Sequence, residues 1–131
     1  MSTVNWSEIL GWNAEQLEEL RLAGFSYLKE GHYEKALLFF KALTVIDPQN
    51  LYDHQTLGAL YLQMGKDDLA LEILDKALNL DPKDETTQLN KVKTLLSLAK
   101  KQEALKILAP LAKSTDPSIS GDATALLTTY T

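Results

Sequence analysis

Between Asn13 and Gly31 the apolar residues Leu17, Leu20, Phe25, Tyr27 and Leu28 fall mostly three or four positions apart, the spacing of a helix with one buried face. Asn13 is placed to cap that helix, with Gln16 three residues on as its reciprocal partner and Trp12 and Leu17 as a hydrophobic staple. Gly31 stands where a helix needs a left-handed residue to stop. A second helical pattern follows in Tyr33, Ala36, Leu37, Phe40, Leu43 and Val45. It must end before Pro48, which cannot continue the hydrogen-bond ladder and restricts Asp47.

The same helix–glycine–helix–proline order then runs from Leu51 to Pro82, with Gly65 as the internal stop. The stretch FKALTVIDPQN at residues 40–50 returns as LDKALNLDPKD at residues 74–84, an offset of 34. At that offset Gly24 matches Gly58, Tyr27 matches Tyr61, Leu28 matches Leu62 and Ala36 matches Ala70. A weaker third copy has Val92, Leu95 and Leu98 in its first helix and Ala104, Leu105, Ile107 and Leu108 in its second. It carries Ala99 in place of the turn glycine, and its proline, Pro117, arrives one position late. Pro110 should kink its second helix or end it early. After Asp116–Pro117 a final helix presents Ile119, Ala123, Leu126, Leu127 and Tyr130 on one side, as a cap over the third copy.

Self-similarity at this period means stacked supersecondary units, because one helix pair cannot bury its own apolar face. The expectation is a single all-α domain over residues 1–131. A short helix occupies residues 5–11, repeats cover 17–50, 51–84 and 85–118, and a capping helix spans 117–130. Small residues at Gly24, Gly58, Ala36, Ala70 and Ala104 would let helices approach closely, with Tyr27, Tyr61 and Phe40 filling the spaces between them.

Composition narrows the function. An apolar fraction of 45% and a charged fraction of 24% describe an ordinary folded chain, and no apolar run approaches the ~20 residues of a membrane helix. The N-terminus, MSTVNWSEIL, lacks a basic start and a long apolar core, so no secretory signal is expected there. Cysteine is absent, which removes disulfides and thiolate metal sites. The net charge of −5 opposes non-specific nucleic-acid binding. It is unevenly spread: Glu8, Glu15, Glu18, Glu19 and Glu30 crowd the first 30 residues, while Lys91, Lys93, Lys100, Lys101, Lys106 and Lys113 crowd residues 85–115. Solvated helix faces account for most such runs; a partner of complementary charge near the C-terminal half is the other reading.

Catalytic chemistry finds no foothold. His32 lies beside the Gly31 turn, His54 begins a repeat helix, and neither has a second histidine at metal-ligand spacing. Asp67–Asp68 opens a helix, where carboxylates suit the positive end of the dipole. Phosphate-loop, dinucleotide, nucleophile-elbow and zinc-protease motifs are absent. No enzyme, metal or cofactor is expected.

The pattern Leu57, Gly58, Tyr61, Gly65, Ala70, Ala77, Pro82, with Gly24, Tyr27, Gly31, Tyr33, Ala36, Phe40 and Pro48 in the first copy, resembles the tetratricopeptide repeat. The resemblance implies a right-handed solenoid whose first helix in each repeat lines a concave, partner-binding side. Its groove positions correspond here to Glu18, Arg21, Phe25, Leu28 and Lys29; to Tyr52, Gln55, Ala59, Leu62 and Gln63; and to Thr86, Leu89, Lys93, Leu96 and Ser97. The repeats that clamp the C-terminal carboxylate of heat-shock proteins need a cluster of Lys, Arg and Asn. The corresponding Arg21, Phe25, Thr56, Thr86 and Asn90 retain a single cation, so no such clamp is expected.

A narrower resemblance runs through AGFSYLKEGHYEKALLFFKALTVIDPQNLYDHQTLGALYLQMGKDDLAL. It is similar to the small chaperones of bacterial type III secretion, those of the pore-forming translocators above all and also those of the needle subunit. The resemblance implies a cytoplasmic, non-catalytic protein that holds an aggregation-prone secretion substrate in its groove until export. The client's apolar segment would lie against Phe25, Leu28, Tyr52, Ala59, Leu62, Leu89 and Leu96, with Arg21, Gln55, Gln63 and Lys93 answering its polar groups. The alternative is that the terminal helices fold over those positions. In Val4–Gly11 the residues Trp6, Ile9 and Leu10 share one helical face. That stripe either folds onto repeat one or offers a second contact, to a co-chaperone or a second copy of the chain. The rival function is a generic scaffold that joins two proteins without protecting either.

Overall fold

The computed structural model describes residues 5–131, Trp6 and Ser7 through their backbone alone. Among these residues there are eight helices and no strand: α1 Trp6–Leu10, α2 Ala14–Lys29, α3 Tyr33–Ile46, α4 Leu51–Gln63, α5 Asp67–Leu80, α6 Glu85–Ser97, α7 Lys101–Leu111 and α8 Pro117–Tyr130. The pairs α2/α3, α4/α5 and α6/α7 are the three repeats, each packed on the next through α3/α4 and α5/α6. The short α1 rests on α3, and α8 closes the stack against α7 and α6. No helix among the described residues is long and apolar enough to cross a membrane.

Local chemistry sets the helix limits. Asn13 accepts from the Gln16 amide at 2.9 Å while the Gln16 side chain accepts from the Asn13 amide at 3.0 Å, the reciprocal cap expected of that spacing. Each repeat turns with the same five-residue bond: His32 N–H to Tyr27 O at 2.9 Å, Lys66 N–H to Tyr61 O at 2.8 Å, and Lys100 N–H to Leu95 O at 2.8 Å. The turn demands a positive φ, which Gly31 and Gly65 supply at 79° and 75°. The third copy forces Ala99 into the same region, φ 60°. Glycine is missing there, yet the turn is kept.

The Asp–Pro pairs do not all act alike. Asp47 and Asp81 are C-caps of α3 and α5. Asp116 is instead the N-cap of α8, its side chain accepting from the Ser118 amide at 2.9 Å, with Pro117 at the first helical position where a missing N–H costs nothing. Pro110 sits in the last turn of α7, which spans 11 residues against 14 in α3 and α5. The helix is shortened rather than broken.

Two apolar clusters fill the solenoid. Leu17, Phe40, Leu43, Leu57, Leu60 and Leu74 belong to the first, between repeats one and two. Leu89, Val92, Leu95, Leu108, Ile119 and Ala123 belong to the second, between repeat three and α8. Ala36, Ala70 and Ala104 are wholly buried at equivalent helix contacts. Gly24 and Gly58 mark the closest approaches: a Cβ at Gly24 would come within 2.9 Å of Phe39 Cβ, and one at Gly58 within 2.6 Å of Leu74 Cδ2. Val45, expected on the buried face of α3, is exposed with Leu38, because the inward stripe of that helix is Ala36, Leu37, Phe40 and Leu43.

Candidate functional site

The first helices of repeats one and two share a face that remains open. Along α2 the residues Glu18, Arg21, Leu22, Phe25 and Leu28 recur at helical steps, and along α4 so do Tyr52, Gln55, Thr56, Ala59 and Gln63. Two clefts open on this face. One, of about 370 Å³, is lined by Leu28, Tyr33, Gln55, Ala59, Thr86 and Asn90 together with Thr56, Leu60 and Gln63. The other, of about 430 Å³, is lined by Glu18, Arg21, Leu22, Phe25, Asn50 and Tyr52. Leu22, Phe25 and Tyr52 are 57%, 39% and 40% exposed. Large apolar side chains left in water around a cleft are the physical mark of a docking surface.

Phe25, Leu28, Tyr52, Gln55, Ala59 and Gln63, six of the expected groove residues, line these clefts. Arg21 reaches the second cleft but is only 9% exposed and already engaged. Its Nε donates to Asp53 Oδ1 at 2.6 Å, its Nη2 to Asp53 Oδ2 at 2.7 Å and Asp47 Oδ2 at 3.1 Å, and its Nη1 to Glu18 Oε2 at 2.8 Å. The bond to buried Asp53 holds the guanidinium above its ordinary pKa, against the opposing pull of burial. It is thus a bolt between repeats one and two, not a free cation awaiting a client.

Repeat three departs from the expectation more widely. Leu89 is 5% exposed and belongs to the second core cluster, so it lines no groove. Leu96 is half-buried against the same cluster, and Leu62 against the first. Lys93 faces Asp122 of α8 across 4.0 Å. The capping helix covers this part of the wall, and α6 offers Thr86 and Asn90 to the cleft in place of Leu89 and Leu96. Ile9 and Leu10 are exposed on α1; the Trp6 side chain and Val4 lie outside the described residues.

Sequence reasoning missed Leu22, Tyr33, Asn50 and Leu60 as lining residues. Tyr33 could have been found: it begins α3 directly after the Gly31 turn, five residues from Leu28, and so must stand at the groove's edge. Gln55 was expected to face a client, and it also spans the repeat junction, its amide donating to Asp84 Oδ2 at 2.5 Å and Thr87 Oγ1 at 3.1 Å. That leaves its carbonyl oxygen for the cleft.

The histidines do not converge. His32 is exposed, 3.6 Å from Glu30, whereas His54 is buried, with Nε2 at 2.9 Å from the Pro48 carbonyl and Nδ1 without a protein partner. No group of three or more His, Asp or Glu among the described residues could hold a metal ion.

Comparison with known proteins agrees with this architecture. The tetratricopeptide repeat model matches residues 27–86. Superkiller protein 3 of Schizosaccharomyces pombe is 28% identical over 96 residues, and the CTR9 homolog of Arabidopsis thaliana is 37% identical over 57. Those alignments take in 73% and 44% of this chain but only 7% and 5% of the two relatives, which are far longer proteins. Among solved structures, the type III secretion translocator chaperone SycD of Yersinia enterocolitica superposes with a TM-score of 0.80 at 23% identity, covering 98% of both chains. SycD in complex with a peptide of the translocator YopD gives 0.78 at 25% identity, over 89% of this chain and 96% of that one. PcrH in complex with the chaperone-binding region of PopD gives 0.81 at 21% identity, over 92% and 94%. The chain matches the tetratricopeptide repeat over residues 27–86 and folds as an all-α solenoid of three helix pairs, similar in fold to the small type III secretion chaperones.

Proposed function

We propose that this protein is a non-catalytic chaperone that holds a type III secretion substrate, a translocator or needle subunit, in its concave groove in the bacterial cytoplasm before export. One observation carries the reading: Leu22, Phe25, Tyr33 and Tyr52 stand exposed around open clefts on the α2–α4 face, the concave side of a fold whose solved likenesses include a chaperone holding a translocator peptide. Burying such side chains against a client's apolar segment stabilises the complex by about 25 cal/mol per Å² removed from water. It also keeps the same segment of the client from aggregating. The uncharged Gln55, Thr56, Gln63, Thr86 and Asn90 can pair with polar groups of the client without the desolvation cost of a charge.

The experiment is co-expression with candidate translocator and needle subunits. A chaperone raises the soluble yield of an otherwise insoluble partner; a scaffold that merely joins proteins leaves that yield unchanged. Loss of the effect in a folded Ala59→Glu variant, where the charge falls inside the cleft, would tie it to the groove.

A further inference from the structure

We propose that the cleft between Glu18 and Tyr52 is a subsite for a basic side chain of the bound polypeptide, an arginine or a lysine. This rests on the groove binding proposed above and names what one end of the groove selects. Leu22, Phe25 and Tyr52 form exposed apolar walls. Arg21 lies among them with every guanidinium nitrogen engaged, so it offers nothing to an incoming carboxylate. Buried Asp53 already offsets its charge. Glu18 and Asp47 then stand as two negative charges that the network does not balance, and the Glu18 side chain is 58% exposed.

The ring of Phe25 gives an independent sign. Lys29, one turn along α2, holds its Nζ 5.5 Å from the ring centre. That face already attracts a cation, and an exposed lysine held only by such a contact is readily displaced. A side chain with an apolar stem and a cationic head satisfies walls and rim together. The adjoining cleft has no charged lining residue, so the preference is confined to this end.

The test uses random twelve-residue peptides displayed on phage and selected against the full chain. The expected winners carry Arg or Lys beside apolar residues; winners that are acidic or show no bias toward basic residues overturn the subsite. Selected peptides resynthesised with citrulline for arginine should bind roughly two- to fivefold more weakly at low salt. That difference should disappear in Glu18→Gln combined with Asp47→Asn. Equal binding of the arginine and citrulline forms, or a difference undiminished in the variant, overturns the subsite while leaving the groove intact. Because Asp47 caps α3, Glu18→Gln alone, at an exposed position, serves if the double variant loses its fold. Peptides that bind Ala59→Glu as tightly as the parent protein overturn the groove reading itself, a separate result.

Discussion

The guanidinium of Arg21 grips Asp53 through two parallel hydrogen bonds, at 2.6 and 2.7 Å, across the junction of repeats one and two. Asp53 is wholly buried and its carboxylate depends on Arg21, whereas Arg21 also bonds Glu18 and Asp47. Removing Arg21 therefore strands a buried charge. Arg21→Met is expected to cost about 3–5 kcal/mol in denaturant unfolding, whereas replacing both residues by apolar ones of similar size should cost far less. A double-mutant cycle reads the coupling directly; additive single effects would show that the pair is not a lock.

The third turn holds an alanine in a glycine conformation. A non-glycine residue in the left-handed region carries roughly 1–2 kcal/mol of strain, partly offset by the larger entropy glycine loses on folding. Ala99→Gly should therefore stabilise the protein by about 0.5–1 kcal/mol, seen as a higher melting temperature. The reverse change, Gly31→Ala at φ 79°, should destabilise it by a similar amount.

Helix contacts leave no room at Gly24. An added methyl would lie 2.9 Å from Phe39 Cβ, an atom that cannot swing aside without moving α3. Gly24→Ala should lose about 1–3 kcal/mol despite alanine's better helix propensity. Gly121 on exposed α8 has nothing within 4 Å of a new Cβ, and Gly121→Ala should gain about 1 kcal/mol. Opposite signs for these two substitutions, read by chemical denaturation, would confirm that packing governs the first.

Charges placed along the expected groove should separate lining from core. Ala59→Glu leaves the cores intact and should abolish polypeptide capture while circular dichroism stays native. Leu89→Glu buries an unpaired carboxylate in the second cluster and should unfold the third repeat. Native-like stability in Leu89→Glu would contradict the burial described for α6.

Ile119 ties the capping helix to repeat three. It is buried with Leu89, Val92 and Leu95, and truncation to alanine should cost about 2–5 kcal/mol. Hydrogen exchange should show the loss first in α6–α8, with repeats one and two still protected. Uniform loss along the chain would mean the solenoid unfolds as one unit.

The order of helices, their caps and turns, and the small residues where they cross could be read from residue order alone. These features are local: the Asn13–Gln16 cap, the Gly31 and Gly65 stops and the 34-residue recurrence each depend on neighbours a few positions away. Part of the cleft lining was legible too, because Phe25, Leu28, Tyr52, Gln55, Ala59 and Gln63 sit on helix faces that the repeat dictates. Only the tertiary structure decided the remainder. Arg21 looked like a free cation until Asp53, 32 residues away, was found beside it. Leu89 and Leu96 looked like groove wall, but they pack with the cluster that Ile119 and Ala123 of α8, outside the repeat pattern, help to form. A side chain's period tells which face of its helix it occupies; what covers that face is a matter of distant elements competing to bury apolar surface, and that competition is settled in three dimensions.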